Sequence, residues 1–137
     1  MKITLKLDYA CRILVEMARH YPDLKPVQIE HLSRVEAVPA NFLAQILGEL
    51  RSGRLVVSKR GAQGGFLLAR PPDEITLCDI IRVIEGDLLE LSGNHGGRSG
   101  RRLRQVWTEV QTAAARKAGE FTLEKLAAAK DGDMYHI

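Results

Sequence analysis

The stretch from Pro39 to Ala69 constrains this chain more than any other. Phe42, Leu43, Ile46, Leu47 and Leu50 recur at helical spacing, so at 100° per residue they make one apolar stripe, while Asn41, Gln45, Gly48 and Ser52 fall on the opposite side. Such a helix buries one face and leaves short polar groups free on the other. Pro39 suits its first turn, where the missing N–H would be unpaired anyway, and the helix runs to about Gly53. Two short β-prone runs follow directly, Leu55 to Ser58 and Phe66 to Ala69, joined by Lys59-Arg60-Gly61-Ala62-Gln63-Gly64-Gly65. This pattern predicts a two-stranded hairpin with a flexible, basic tip.

Helices surround that unit. Tyr9, Ala10, Ile13, Leu14, Met17, Ala18 and Tyr21 form a helical stripe, and Pro22 and Pro26 bracket the turn after it. Ile29, Leu32 and Val35 predict a short second helix ending near Ala37 and Val38. After Pro71-Pro72, Thr76 and Asp79 have the spacing of a capping box ahead of Leu77, Ile80, Ile81 and Ile84, with a stop near Gly86. The glycine-rich run from Ser92 to Gly100 reads as a mobile loop. From Arg101, the residues Leu103, Val106, Trp107, Val110, Ala113, Ala114 and Ala118 give a long helix whose stripe is too narrow for a deep core and suits a partner helix. Phe121 to Ala128 adds a short helix through Leu123 and Leu126, and Asp131 to Ile137 reads as a polar tail.

With 137 residues, 45% apolar and 27% charged, the chain has the profile of one compact domain. Within it, residues 1–72 form a winged helix-turn-helix region, and 73–137 supply a linker helix, loop, dimerisation helix and tail. Two cysteines exclude a disulfide-stapled mini-fold and a four-cysteine zinc ribbon. Lys2, Lys6, Asp8, Arg12 and Glu16 interrupt the N-terminus, so no signal-peptide core is read, no membrane partner is expected, and the chain is placed in the cytoplasm. A formal charge of +3 leans toward nucleic acid but does not decide it.

The order of elements decides more. The fold expected is mainly α with a small β-hairpin, a winged helix-turn-helix with a long C-terminal dimerisation helix. A recognition helix presents donors and acceptors in the major groove, where Asn41 and Gln45, one turn apart, suit adenine, and small Ala44 and Gly48 permit close approach. Arg51, Arg54 and Lys59 are placed for phosphates, and Arg60 beside Gly61 on the tip suits a narrow minor groove. Leu103, Val106, Trp107 and Val110 are read as the dimerisation seam. A nucleotide loop is rejected because the tip lacks the Gly-Lys-Ser/Thr ending. No catalytic set is found, so an enzyme is not expected. His20, His31, His95 and His136 show no metal spacing, and no metal is predicted. Cys11 and Cys78 are placed beside their helices' apolar stripes and read as small buried thiols. Arg98, Arg101, Arg102 and Arg104 form a basic cluster read as a solvated face.

Several segments resemble one family. Leu7-Asp8-Tyr9-Ala10, Phe42-Leu43-Ala44-Gln45-Ile46-Leu47, Leu50-Arg51-Ser52-Gly53, and above all Ser58-Lys59-Arg60-Gly61 through Gly64-Gly65-Phe66-Leu67-Leu68-Ala69-Arg70-Pro71 resemble the Rrf2 family of bacterial winged-helix regulators, the IscR, NsrR and CymR type. Ile75 to Ile81 and Ile84-Glu85-Gly86 resemble its linker helix, and Leu103 with Trp107 the start of its dimer helix. The resemblance implies a homodimer that binds double-stranded DNA at near-palindromic operators, usually as a repressor. Cluster-binding members carry three cysteines before the dimer helix, where this chain has none, so no iron–sulfur cofactor is expected. The family often has glycine where Ala37 stands and an acidic reader near Ala44, so the operator sequence does not carry over. The effector is left unspecified. The other reading is a winged helix used as a protein-binding adaptor.

Overall fold

The computed structural model describes residues 2–91, 93, 94 and 96–129. Ser92 and His95 of the glycine-rich loop, His136, and the tail from Asp131 fall outside them. Helix α1 spans Leu5–His20, α2 Ile29–Glu36 and α3 Ala40–Ser52, followed by strands β1 (Val56–Lys59) and β2 (Gly65–Leu68). Helix α4 covers Leu77–Ile84, α5 Gly100–Gly119 and α6 Leu123–Ala128. This is a mainly helical chain with one antiparallel hairpin, as the sequence pattern predicts.

Local chemistry explains most boundaries. Helix α1 starts a turn earlier than Tyr9 because the Thr4 hydroxyl caps it, accepting from the Leu7 N–H at 3.1 Å. The Thr76 and Asp79 capping box is formed, with bonds of 2.9 and 3.2 Å. Pro39 is the N-cap of α3 rather than its first helical residue; its extended ψ of 133° turns the chain into the helix. Helix α2 ends at Glu36 because Ala37 is left-handed, φ 56°, where its N–H closes on the Ser33 carbonyl. Val35, whose spacing from Ile29 and Leu32 predicts this helix, is 47% exposed, and on it Leu32 alone is fully buried.

The hairpin lies one residue from the predicted runs. Val56 pairs with Leu68 and Lys59 with Gly65, so Lys59 belongs to a strand and the tip narrows to residues 60–64. Val27, just before α2, exchanges two 2.9 Å bonds with Phe66 and so adds a third short edge. That edge approaches closely enough that a Cβ on Gly65 would lie 2.6 Å from the Val27 oxygen, which only glycine tolerates.

One core joins the described elements. Ile13, Leu14 and Met17 of α1, Leu32 of α2, Leu43, Ile46, Leu47 and Leu50 of α3, Ile80 of α4 and Leu123 of α6 are all essentially inaccessible. Helix α4 fits against the end of α3, where a side chain on Gly53 would meet Val83 at 2.5 Å. The chain then returns to the core. Leu77 donates to Phe121 and Leu123 to Ile75, both at 2.9 Å, and this short ladder seats α6 against α1.

Candidate nucleic-acid interface

The apolar side of α3 fixes the polar side in place. Leu43, Ile46, Leu47 and Leu50 have no exposure, whereas Asn41, Ala44, Gln45 and Ser52 are exposed along the opposite side. Phe42 sits between the two faces, half-buried, with its ring edge-on to Tyr9 at 5.6 Å. Lys6 of α1 holds Glu49 at 3.1 Å, which ties the flank of α3 to α1 and keeps an acid from standing alone beside the polar face. Gly48 has open space where a Cβ would be, so nothing obstructs a surface approaching next to Gln45.

The cations follow in order. Arg51 and Ser52 close α3, Arg54 takes a left-handed turn at φ 63°, and Lys59 and Arg60 reach the hairpin tip; all are exposed. None of Arg51, Arg54, Lys59 and Arg60 has an ion-pair partner among the described residues, while Arg12, Arg19 and Arg70 each do. At the tip, Gly61 has φ 107° and its carbonyl accepts from Gly64 at 2.9 Å. A Cβ on Gly64 would come within 2.4 Å of the Lys59 oxygen, so the turn depends on that glycine.

Helix α5 carries a different surface. Leu103, Trp107 and Val110 lie at i, i+4 and i+7 and are 53%, 50% and 44% exposed, with Val106 half-buried beside them. Only Ala118, near the C-terminus of α5, is buried. Arg98, Arg101, Arg102 and Arg104 are exposed around its start.

Cys78 belongs to the buried core, which corrects its placement beside the α4 stripe, whereas Cys11 stays at the core's edge. Cys78 is 6% exposed and Cys11 is half-buried against the core. Burial, reinforced by the Asp8 carboxylate, pushes the Cys11 thiol up to about 11, so it is protonated at neutral pH. The histidine reading also changes. Spacing along the chain hides a group that the α1–α2 turn assembles, with His20 and His31 both 3.0 Å from Glu16. The i, i+4 step from Glu16 to His20 was the available sequence signal; nothing in the sequence brought His31 to them.

Residues 3–129 match the family model described as "Rrf2: Iron-dependent Transcriptional regulator". The HTH-type transcriptional regulator CymR of Bacillus subtilis is 32% identical over 133 residues, spanning 97% of this chain and 94% of CymR. The solved structure of CymR (YrzC), the global cysteine regulator of B. subtilis, superposes with a TM-score of 0.81 at 31% identity, covering 96% of this chain and 99% of that one. The structure of T. potens IscR gives 0.76 at 30% identity, over 100% and 94%. Among the described residues no helix is long and apolar enough to cross a membrane. The iron in the family description does not fit this chain as a cluster. The run from Ser92 to Gly100 offers no thiol, and of the two cysteines in the sequence one is buried and the other held protonated.

Proposed function

The chain belongs to the Rrf2 family and is a DNA-binding transcription regulator, and from that premise we propose that it represses by binding a near-palindromic operator as a homodimer, without an iron–sulfur cluster. The observation that carries the finer reading is the exposed polar face of α3, followed along the chain by the exposed cations Arg51, Arg54, Lys59 and Arg60 up to the hairpin tip. Asn41 and Gln45 read base edges in the major groove, with Ala44 and Gly48 allowing close approach. Arg51, Arg54 and Lys59 hold phosphates, and Arg60, presented by the tight Gly61 turn, enters the flanking minor groove.

Residues 1–72 act as the reader and 73–137 as the arm that pairs two readers. Leu103, Val106, Trp107 and Val110 form the seam, because an exposed apolar row at i, i+4, i+7 is what a second amphipathic helix covers. Two-fold symmetry then sets the recognition helices about one DNA turn apart, or a multiple of it. The protein acts on the chromosome in the bacterial cytoplasm, and catalysis is no part of its role.

Fragmented genomic DNA, selected with the purified protein at moderate salt and sequenced, tests this. Recovery of a few fragments sharing a palindrome is expected. Affinity should fall steeply as salt rises, since several arginines displace counterions. Retention without sequence preference, or binding indifferent to salt, would overturn the operator reading in favour of a protein-binding adaptor.

A further inference from the structure

Among the described residues Glu16 is the one buried charged side chain, 7% exposed. Its surroundings are built for it. Glu16 and His20 stand one turn apart on α1; the chain then reverses through the short 3₁₀ turn Tyr21–Asp23, and α2 brings His31 back over the same place. Oε2 of Glu16 lies 3.0 Å from Nε2 of each histidine, and the two rings meet edge-on with centroids 5.0 Å apart. The three donor atoms lie within 4.8 Å of one another. The other carboxylate oxygen, Oε1, accepts from Arg19 at 3.2 Å, and Arg19 reaches Glu36 at 3.8 Å.

We propose that Glu16, His20 and His31 form a mononuclear site for a divalent transition-metal ion such as zinc, with water completing the coordination on the solvent side. Two imidazole nitrogens and one carboxylate oxygen are the donor set that borderline divalent ions take, and three protein ligands leave one position open. Around an ion with bonds of about 2.1 Å, tetrahedral donors stand roughly 3.4 Å apart, so small side-chain adjustments suffice. Without an ion, a single oxygen accepts from two imidazoles, which requires both histidines to carry their proton on Nε2. An ion bound to the same three atoms takes the place of those two protons, and each neutral ring carries its proton on Nδ1 instead.

The second layer fits the same assignment. Arg19 occupies Oε1 and so orients Oε2 toward the histidines, as outer-shell partners of ligating carboxylates do. Glu16 and Glu36 outnumber Arg19, and Arg12, which also acts on Glu36, is paired with Asp8 at 2.7 Å, so the group keeps a net negative charge that favours a cation when the histidines are neutral. Burial raises the Glu16 carboxyl, but hydrogen bonds from His31, His20 and Arg19 outweigh it and hold the group below its ordinary value, hence anionic. Glu36 is shifted upward by burial and by Glu16. Both histidines keep about a third of their side-chain surface in solvent, 37% and 32%, which gives an ion and a water molecule access. Filled, the site would staple α1 to α2, the helix that leads into the α3 reader. It uses neither cysteine and does not depend on the DNA reading.

The test is a titration of the chelator-stripped full chain with Co2+ and then Zn2+. One equivalent of Co2+ should give the visible absorption of a low-coordinate nitrogen–oxygen site, and Zn2+ should displace it. His20→Gln and His31→Gln should each weaken binding by at least about tenfold, since even outer-shell losses cost 10–100-fold. The double variant Cys11→Ser, Cys78→Ser should bind as the parent does. If either glutamine variant fails to fold by circular dichroism, imidazole NMR signals of the parent should still shift at one equivalent of Zn2+. Absence of stoichiometric binding, binding that survives in a folded His20→Gln, His31→Gln double variant, or binding lost with the cysteines would overturn the proposal.

Discussion

Helices α3 and α5 are both amphipathic and both leave a face uncovered, but the uncovered faces are opposite in kind. Helix α3 buries its four large aliphatic residues completely and shows Asn41, Ala44 and Gln45 to solvent, while α5 buries only Ala118 and shows Leu103, Trp107 and Val110. The same periodicity therefore serves two ends. A face whose apolar side is spent inside the monomer can offer polar groups to a polar ligand. A face whose apolar side remains outside requires an apolar partner, and a second α5 has the matching row.

The contrast can be broken from the α5 side first. Leu103→Glu with Trp107→Glu should leave the monomer folded but shift sedimentation to the monomer. Operator affinity, followed by fluorescence anisotropy, should drop roughly 10²–10⁴-fold as the two half-sites become uncoupled. Next, Leu47→Ala on α3 should cost about 2–5 kcal/mol in denaturant unfolding, because it opens a cavity in a site without exposure. Leu103→Ala should cost the isolated monomer almost nothing. An equal loss at both positions would erase the distinction between the two helices.

Smaller effects sharpen it. Gln45→Ala should relax preference at one base per half-site by about 1–3 kcal/mol in a binding-site selection, with the monomer's melting unchanged. Arg60→Ala should weaken operator binding by an amount that depends on the flanking sequence, most where the minor groove is narrow, and a uniform loss across operators would move Arg60 to the phosphates. Ala37→Gly should raise stability by about 0.5–1 kcal/mol, since alanine is held at φ 56° where glycine has no steric penalty, though glycine gives back part through a looser unfolded chain. A differential melting scan reads it.

Much of this was legible from residues alone. The α3 stripe, the Thr76 to Asp79 box and the Arg60 to Gly64 tip each carry their structure locally: periodicity, cap spacing and glycine placement act over a few residues. The strands lay one residue off because their ends are set by cross-strand pairing, Val56 with Leu68 and Lys59 with Gly65, which β-propensity along a single run does not encode. The exposed Val35 shows the limit of periodicity on an eight-residue helix, where a stripe needs a neighbour to cover it. The Glu16, His20 and His31 group was hidden for the same reason. Its members meet only after α1 and α2 reverse direction; Pro22 and Pro26 mark the turn, but no local pattern says that it brings His31 back over Glu16. The free polar face of α3 was plain, but its setting beside Lys6–Glu49 and the α4 contact at Gly53 was not.

The seating of α6 on α1 bears on how the protein comes off the ribosome. Leu123 has no exposure and belongs to the same core as Ile13 and Leu14, and the strand-like ladder through Phe121 and Ile75 closes only when α6 is present. A nascent chain that has released α1 to the hairpin therefore holds an incomplete core with an open slot on α1. The reader reaches its full stability only once the residues through α6 have left the ribosome, so a chain cut before Leu123 lacks this clasp and should be more open to proteolysis than one that carries it.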